Sequence, residues 1–140
     1  MNKVIFILLV EDDQLDVMDI QRSLYKLNIL YKLVVARNGE DAMQFLESDR
    51  AEFNGELPDV ILLDINMPRM NGLELLKIIR NTPKWKDIKC FIITTSDEKF
   101  DKETASELGI SGYIVKPFKI NNPASLDSFN LVIDLMNMKA

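Results

Sequence analysis

Five short apolar runs, separated by segments of helical period, constrain this sequence more than anything else in it. VIFILLV (4–10), KLVVA (32–36), DVILLD (59–64), KCFIITT (89–95) and GYIVK (112–116) read as strands. Three of them are nearly continuous in apolar character, as strands are when both of their faces are buried. Between the runs, Leu15, Met18, Leu24 and Leu27 recur along one helical face, as do Ala42, Phe45 and Leu46, and then Leu73, Leu75, Leu76 and Ile79. The pattern is βαβαβαβαβα. Such strands need cover above and below, so an α/β fold follows, a parallel sheet with helices on both faces. Right-handed crossovers reduce the choices to a doubly wound five-stranded sheet. In the order 2-1-3-4-5 the first and third strands are neighbours, and ligands gather beyond the strand carboxyl ends at that switch point. The residues give the alternation and not the order.

With 140 residues, 47% of them apolar, the chain is expected to be a single domain over 1–140, with no room for a second. Its net charge of -5 disfavours nucleic acid, because phosphate contacts want clustered cations. The run from Val4 to Val10 is too short to span a bilayer, and no small-residue cleavage site follows it, so a soluble cytoplasmic protein is expected. Cys90, the only cysteine, reads as a small buried hydrophobe, which excludes disulfides and thiolate metal sites. The polar connection at 47–59 reads as one more turn of the second helix and then a loop through Asn54, Gly55 and Pro58. A last helix is expected over Leu126 to Met138, begun either by Ser125 as cap or by Asn122 with Pro123 in its first turn. On it Phe129, Val132, Ile133 and Met136 form one stripe, most of which covers the sheet. Trp85 is expected over the rim between a helix and the fourth strand.

Glu11, Asp12 and Asp13 follow the first strand directly, and Asp64 closes the third. An aspartate at the lip of a buried strand is costly unless a cation meets it. With the two strands adjacent, at least three carboxylates share one crevice and repel one another unless a hard cation sits among them. Oxygen donors in a chain without histidine select magnesium over zinc. Lys116 ends the last strand, with Pro117 fixing the backbone beyond it, and its ammonium suits an acyl phosphate. Thr94 ends the fourth strand and offers a hydroxyl to a phosphoryl oxygen. There is no GxxxxGK[ST], no GxGxxG after the first strand and no histidine for a triad. What remains is a site for receiving and releasing a phosphoryl group on Asp64.

VEDD (10–13), LLDINMPRMNG (62–72), ITTS (93–96) and GYIVKPF (112–118), in that order and spacing, resemble the receiver domains of bacterial two-component response regulators. The resemblance covers Lys3 to Met138 and implies the flavodoxin-like receiver fold. It implies a phosphohistidine donor, either a histidine kinase or a histidine phosphotransfer protein, and Asp64 as phosphoacceptor. Glu11 and Asp12 match the acidic pair that holds Mg2+, with Asp13 a weaker candidate, and Asn66 matches the position whose backbone carbonyl joins them. Thr94 and Lys116 match the catalytic hydroxyl and lysine, and Tyr113 matches the aromatic partner of Thr94 in the switch. Pro68 and Gly72 match the turn after the third strand. The chain is similar to the stand-alone kind without an output domain, and to regulators that accompany phytochrome-type kinases.

The resemblance implies a signalling module that phosphorylates and slowly dephosphorylates itself, without turning over a free substrate. The switched surface would be that of the fourth helix, fifth strand and fifth helix, also the seam of an expected homodimer. The alternatives are a phosphorelay intermediate, a phosphate sink, or a pseudo-receiver that never takes phosphate. A metal-dependent phosphohydrolase would need a general acid and a cap domain for which 140 residues leave no space.

Overall fold

The computed structural model describes residues 3–67, 70–119 and 125–138. Five strands, β1 (Ile5–Val10), β2 (Tyr31–Ala36), β3 (Val60–Leu63), β4 (Lys89–Thr94) and β5 (Gly112–Val115), form one parallel sheet in the order β2-β1-β3-β4-β5. Five helices connect and cover them: α1 (Gln14–Lys26), α2 (Gly39–Glu47), α3 (Gly72–Asn81), α4 (Lys99–Leu108) and α5 (Leu126–Met138). The anticipated doubly wound architecture is therefore present, with each strand end within about two residues of the apolar run that marked it. Among the described residues no helix is long and apolar enough to cross a membrane.

Side-chain alternation along the strands divides the core in two. Leu8, Val10, Ile61, Leu63, Cys90 and Ile92 face one way, against Ala42 and Leu46 of α2, Leu75, Leu76 and Ile79 of α3, and Ala105 of α4. Ile5, Ile7, Leu9, Val60, Leu62, Phe91, Ile93 and Ile114 face the other way, against Val17, Ile20 and Leu24 of α1 and Leu131 and Leu135 of α5. Each Val, Leu, Ile or Phe among them, fully removed from water, contributes about 1.5–3 kcal/mol before conformational entropy is counted. β1 and β3 are buried at every position, whereas the edge strands β2 and β5 are only partly buried. Cys90 is fully buried, and burial pushes its thiol up to about 11, as expected of an inert core residue.

In two helices the covered face only partly coincides with the stripe their apolar pattern suggested: Leu24 and Leu27 of α1 and Val132 of α5 do pack against the core. On α1 the residues against the sheet are Val17, Ile20 and Leu24, while Leu15 and Met18 are exposed. On α5 the covering residues are Ser128, Leu131 and Leu135, while Phe129 and Ile133 stand in solvent and Val132 and Met136 are half-buried. Both helices carry two apolar stripes, and the sheet selects between them. Ser125 does cap α5, its hydroxyl accepting from the Ser128 amide at 3.1 Å. The other proposed start, Asn122 with Pro123, lies outside the described residues.

The second helix is not extended past Glu47. Ser48 caps it, and Arg50 and Asn54, both in the left-handed region at φ 52° and 55°, bracket a 3-10 turn over Ala51–Phe53. The Arg50 guanidinium fastens this excursion by donating to the carbonyls of Leu46 (2.7 Å), Ser48 (3.0 Å), Gly55 (2.9 Å) and Glu56 (3.1 Å). Phe53 is buried there, stacked on Phe6 with ring centroids 4.8 Å apart and edge-on to Phe45 at 5.1 Å. Trp85 lies deeper than a rim position, 2% exposed in the same half of the core as α3 and β4.

Candidate functional site

Parallel register brings the ends of β1, β3, β4 and β5 to one edge. Val10 pairs with Leu63, Leu63 with Ile92, and Thr94 with Val115. The residue after each strand therefore opens onto a common crevice: Glu11 after β1, Asp64 after β3 and Lys116 after β5. The Asp64 amide donates to the Val10 carbonyl at 3.0 Å, and the Lys116 amide to the Thr94 carbonyl at 2.7 Å, so these residues sit on the ladder itself. The following peptide bond, Lys116–Pro117, is cis.

Glu11, Asp12 and Asp64 each offer a carboxylate oxygen, and these oxygens lie within 4.8 Å of one another. Glu11 and Asp64 are buried and Asp12 is exposed, an open-sided cluster of hard oxygen donors that fits a cation such as Mg2+. Asp13 has a different task. It is the N-cap of α1, its Oδ1 accepting from the amides of Leu15 (2.9 Å) and Asp16 (3.3 Å). That occupation, worth about 1 kcal/mol for a cap of this type, keeps it out of the cluster. The Asn66 side chain is exposed, while its backbone N–H donates to Asp64 Oδ1 at 3.1 Å, which restrains the rotation of that carboxylate.

The cation that meets Asp64 is the Lys116 ammonium. It lies 3.2 Å from Asp64 Oδ2, 2.7 Å from Glu11 Oε1 and 2.6 Å from Asp16 Oδ2. Burial works to lower the affinity of Lys116 for its proton. Hydrogen bonds to Asp16 and Glu11 and the charges of Asp64 and Glu11 outweigh it, so the lysine stays charged well past its ordinary range. Glu11 shows the opposite balance. Burial, helped by the negative charge of Asp64, pushes its carboxyl up to about 7 against the pull of Lys116.

Asp16 is the site residue that the sequence did not announce. An acid in the first turn of a helix is ordinary, because it faces the positive end of the helix dipole. Its partner is 100 residues away. The one available signal was its place a single turn beyond the acidic run at 11–13.

Thr94 is fully buried, and its hydroxyl accepts from the Ser96 amide at 3.3 Å. Tyr113 is half-buried, and its hydroxyl donates to the Ser96 carbonyl at 2.9 Å. Ser96 thus joins the hydroxyl of β4 to the aromatic residue of β5. Its own hydroxyl donates to Asp101 of α4 at 2.6 Å. Gly72 holds the far wall, where a Cβ would stand 2.1 Å from the Asp64 carbonyl oxygen. Beside it, a Cβ on Gly39 would come within 2.7 Å of the Met70 side chain, so both positions demand glycine for close approach. Pro68, the other residue assigned to this turn, lies outside the described residues.

Residues 7–124 match the family model described as the response regulator receiver domain. Among curated proteins, response regulator Rcp1 of Synechocystis sp. is 36% identical over 110 residues, spanning 79% of this chain and 75% of Rcp1. Among solved structures, the Mn2+-bound form of Rcp1 is similar at 33% identity with a TM-score of 0.74, over 94% of this chain and 91% of that one. The phosphorylated cyanobacterial phytochrome response regulator RcpA gives 29% identity and a TM-score of 0.75, over 97% and 91%.

Proposed function

The chain belongs to the response regulator receiver domain family, and on that premise we propose that it is a phosphoacceptor signalling module whose nucleophile is Asp64. One observation carries the reading: the Asp64 carboxylate is 5% exposed, shares an oxygen cluster with Glu11 and Asp12, and has the Lys116 ammonium 3.2 Å away. An Asp64 oxygen attacks the phosphorus of a phosphohistidine on a histidine kinase or a histidine phosphotransfer protein. The O–P bond forms, the P–N bond breaks, and its electron pair stays on the imidazole nitrogen. Water later cleaves the acyl phosphate slowly, returning carboxylate and inorganic phosphate.

Glu11, Asp12 and Asp64 would hold Mg2+, with the Asn66 backbone carbonyl as a further donor. The similarity to a regulator solved with Mn2+ supports this reading. When bound, the ion supplies positive charge against the phosphoryl oxygens. Lys116 donates a hydrogen bond to one of those oxygens, and the Thr94 hydroxyl turns from Ser96 to donate to another, so the chain contributes chiefly position and electrostatics. Loss of the Thr94 contact loosens Ser96, and with it the Tyr113 hydroxyl, which lets the ring move inward and shifts the surface of α4, β5 and α5. A homodimer through that surface is part of the reading, supported by exposed Phe100, Val115, Leu126, Phe129 and Ile133. The similarity to a phytochrome response regulator supports a photoreceptor-type kinase as donor, and such a partner puts the work of this protein in the cytoplasm.

The test is phosphoryl uptake from acetyl phosphate with magnesium. The wild type is expected to gain one acid-stable, base-labile acyl phosphate, and Asp64→Asn none. Full labelling of the variant would remove Asp64 as the acceptor.

A further inference from the structure

The Lys116 ammonium has three protons, and each has a carboxylate: Asp16 at 2.6 Å, Glu11 at 2.7 Å and Asp64 at 3.2 Å. These partners are not equivalent. Glu11 and Asp64 belong to the oxygen cluster suited to a cation, and Asp16 does not. A divalent ion would claim Glu11, and a phosphoryl group would replace the bare carboxylate of Asp64. Only the contact with Asp16 survives both events without exchange.

Asp16 is also well placed to hold still. It sits in the first turn of α1, its amide bonded to the capping Asp13, and the helix is seated on the sheet through the next residue, Val17. Its carboxylate and the lysine form part of the wall of a cleft of about 600 Å³ between α1 and the segment after β5. A lysine stem has four rotatable carbons, and fixing its tip costs conformational entropy unless a partner holds it in advance.

We propose that Asp16 is a positioning residue: it anchors the Lys116 ammonium within reach of Asp64 before, during and after phosphoryl transfer. The inference rests on the reading of Asp64 as phosphoacceptor and adds a residue of α1 to the machinery. A purely structural Asp16, stabilising the start of α1 through its dipole, would act whether or not Lys116 were present. An anchor acts only through the lysine.

The experiment compares the initial rate of phosphoryl uptake from acetyl phosphate, with saturating magnesium, in wild type, Asp16→Asn, Asp16→Glu, Lys116→Ala and the double variant D16N/K116A. Uptake by Asp16→Asn is expected to be about fivefold slower, a typical coupling for groups in direct contact. Asp16→Glu, which keeps the charge, should recover most of the rate, and this variant also decides the matter if the amide weakens α1. In the Lys116→Ala background, Asp16→Asn should slow uptake no further. A wild-type rate for Asp16→Asn, or equal slowing with and without Lys116, would overturn the anchor while leaving Asp64 in place. No uptake by the wild type itself would overturn the phosphoacceptor reading and the anchor together.

Discussion

At Glu11 burial and metal binding make opposite demands. The carboxyl is pushed up to about 7 by burial, with the charge of Asp64 adding to the effect and Lys116 opposing it. A group that holds its proton more tightly when folded stabilises the fold while protonated. That contribution is fully present below its ordinary value of 4.5 and is lost as the pH rises through about 7. A cation needs the ionised form, so below pH 7 it competes with the proton. Magnesium affinity is therefore expected to be about tenfold weaker at pH 6 than at pH 8. Titration calorimetry at the two values measures this directly, and Glu11→Gln should flatten the dependence. An affinity in the wild type that ignores pH would show that Glu11 is already ionised in the metal-free crevice.

Among the elements, the approach of α3 to β3 sets the position of Asp64. Gly72 begins α3, its amide donates to the Ile65 carbonyl at 3.1 Å, and an added methyl would meet the Asp64 carbonyl at 2.1 Å. Gly72→Ala must push helix and strand apart. We expect a loss of about 2–3 kcal/mol in urea unfolding, with phosphoryl uptake reduced further than the loss of folded protein explains. Unchanged stability would mean that α3 moves freely relative to the Asp64 backbone.

The same scale shows what the sequence could convey. β1, β3 and β4 were legible because burial on both faces writes an unbroken apolar run. Asp64, Glu11 and Lys116 were legible because each directly follows such a run, and parallel register delivers run ends to one edge. The buried faces of α1 and α5 were not. Leu15 and Met18 compete with Val17 and Ile20, and Phe129 and Ile133 compete with Leu131 and Leu135; only contact with the sheet decides which stripe is covered. The 3-10 turn at 51–53 was hidden because it depends on Arg50 adopting a left-handed backbone and reaching four carbonyls, a tertiary arrangement with no local period. Asp16 was hidden for a related reason, since its meaning comes from Lys116, just past the last strand.

For the whole molecule, a sheet with a separate core on each side leaves the acidic crevice at one edge, and Ser96 connects that edge to its neighbours. That residue touches Thr94, Tyr113 and Asp101, and so links β4, β5 and α4. In the proposed homodimer the apolar residues left exposed on α5 lie in the seam. Phe129→Asp with Ile133→Asp is expected to leave the unfolding free energy of the monomer within about 1 kcal/mol of the wild type, since neither side chain is buried. It should also abolish any dimer that forms with beryllofluoride and magnesium, as read by sedimentation velocity. A dimer that persists in the double variant would place the seam elsewhere.

Trp85 has a practical bearing. It is the only indole in the chain, it sits ahead of β4 at the end of the sheet away from the crevice, and its Nε1 is buried without a hydrogen-bond partner among the described residues. Ultraviolet emission therefore gauges whether the hydrophobic interior is intact, and is blind to traffic at the acidic edge. Watching that edge by light requires a dye attached near it.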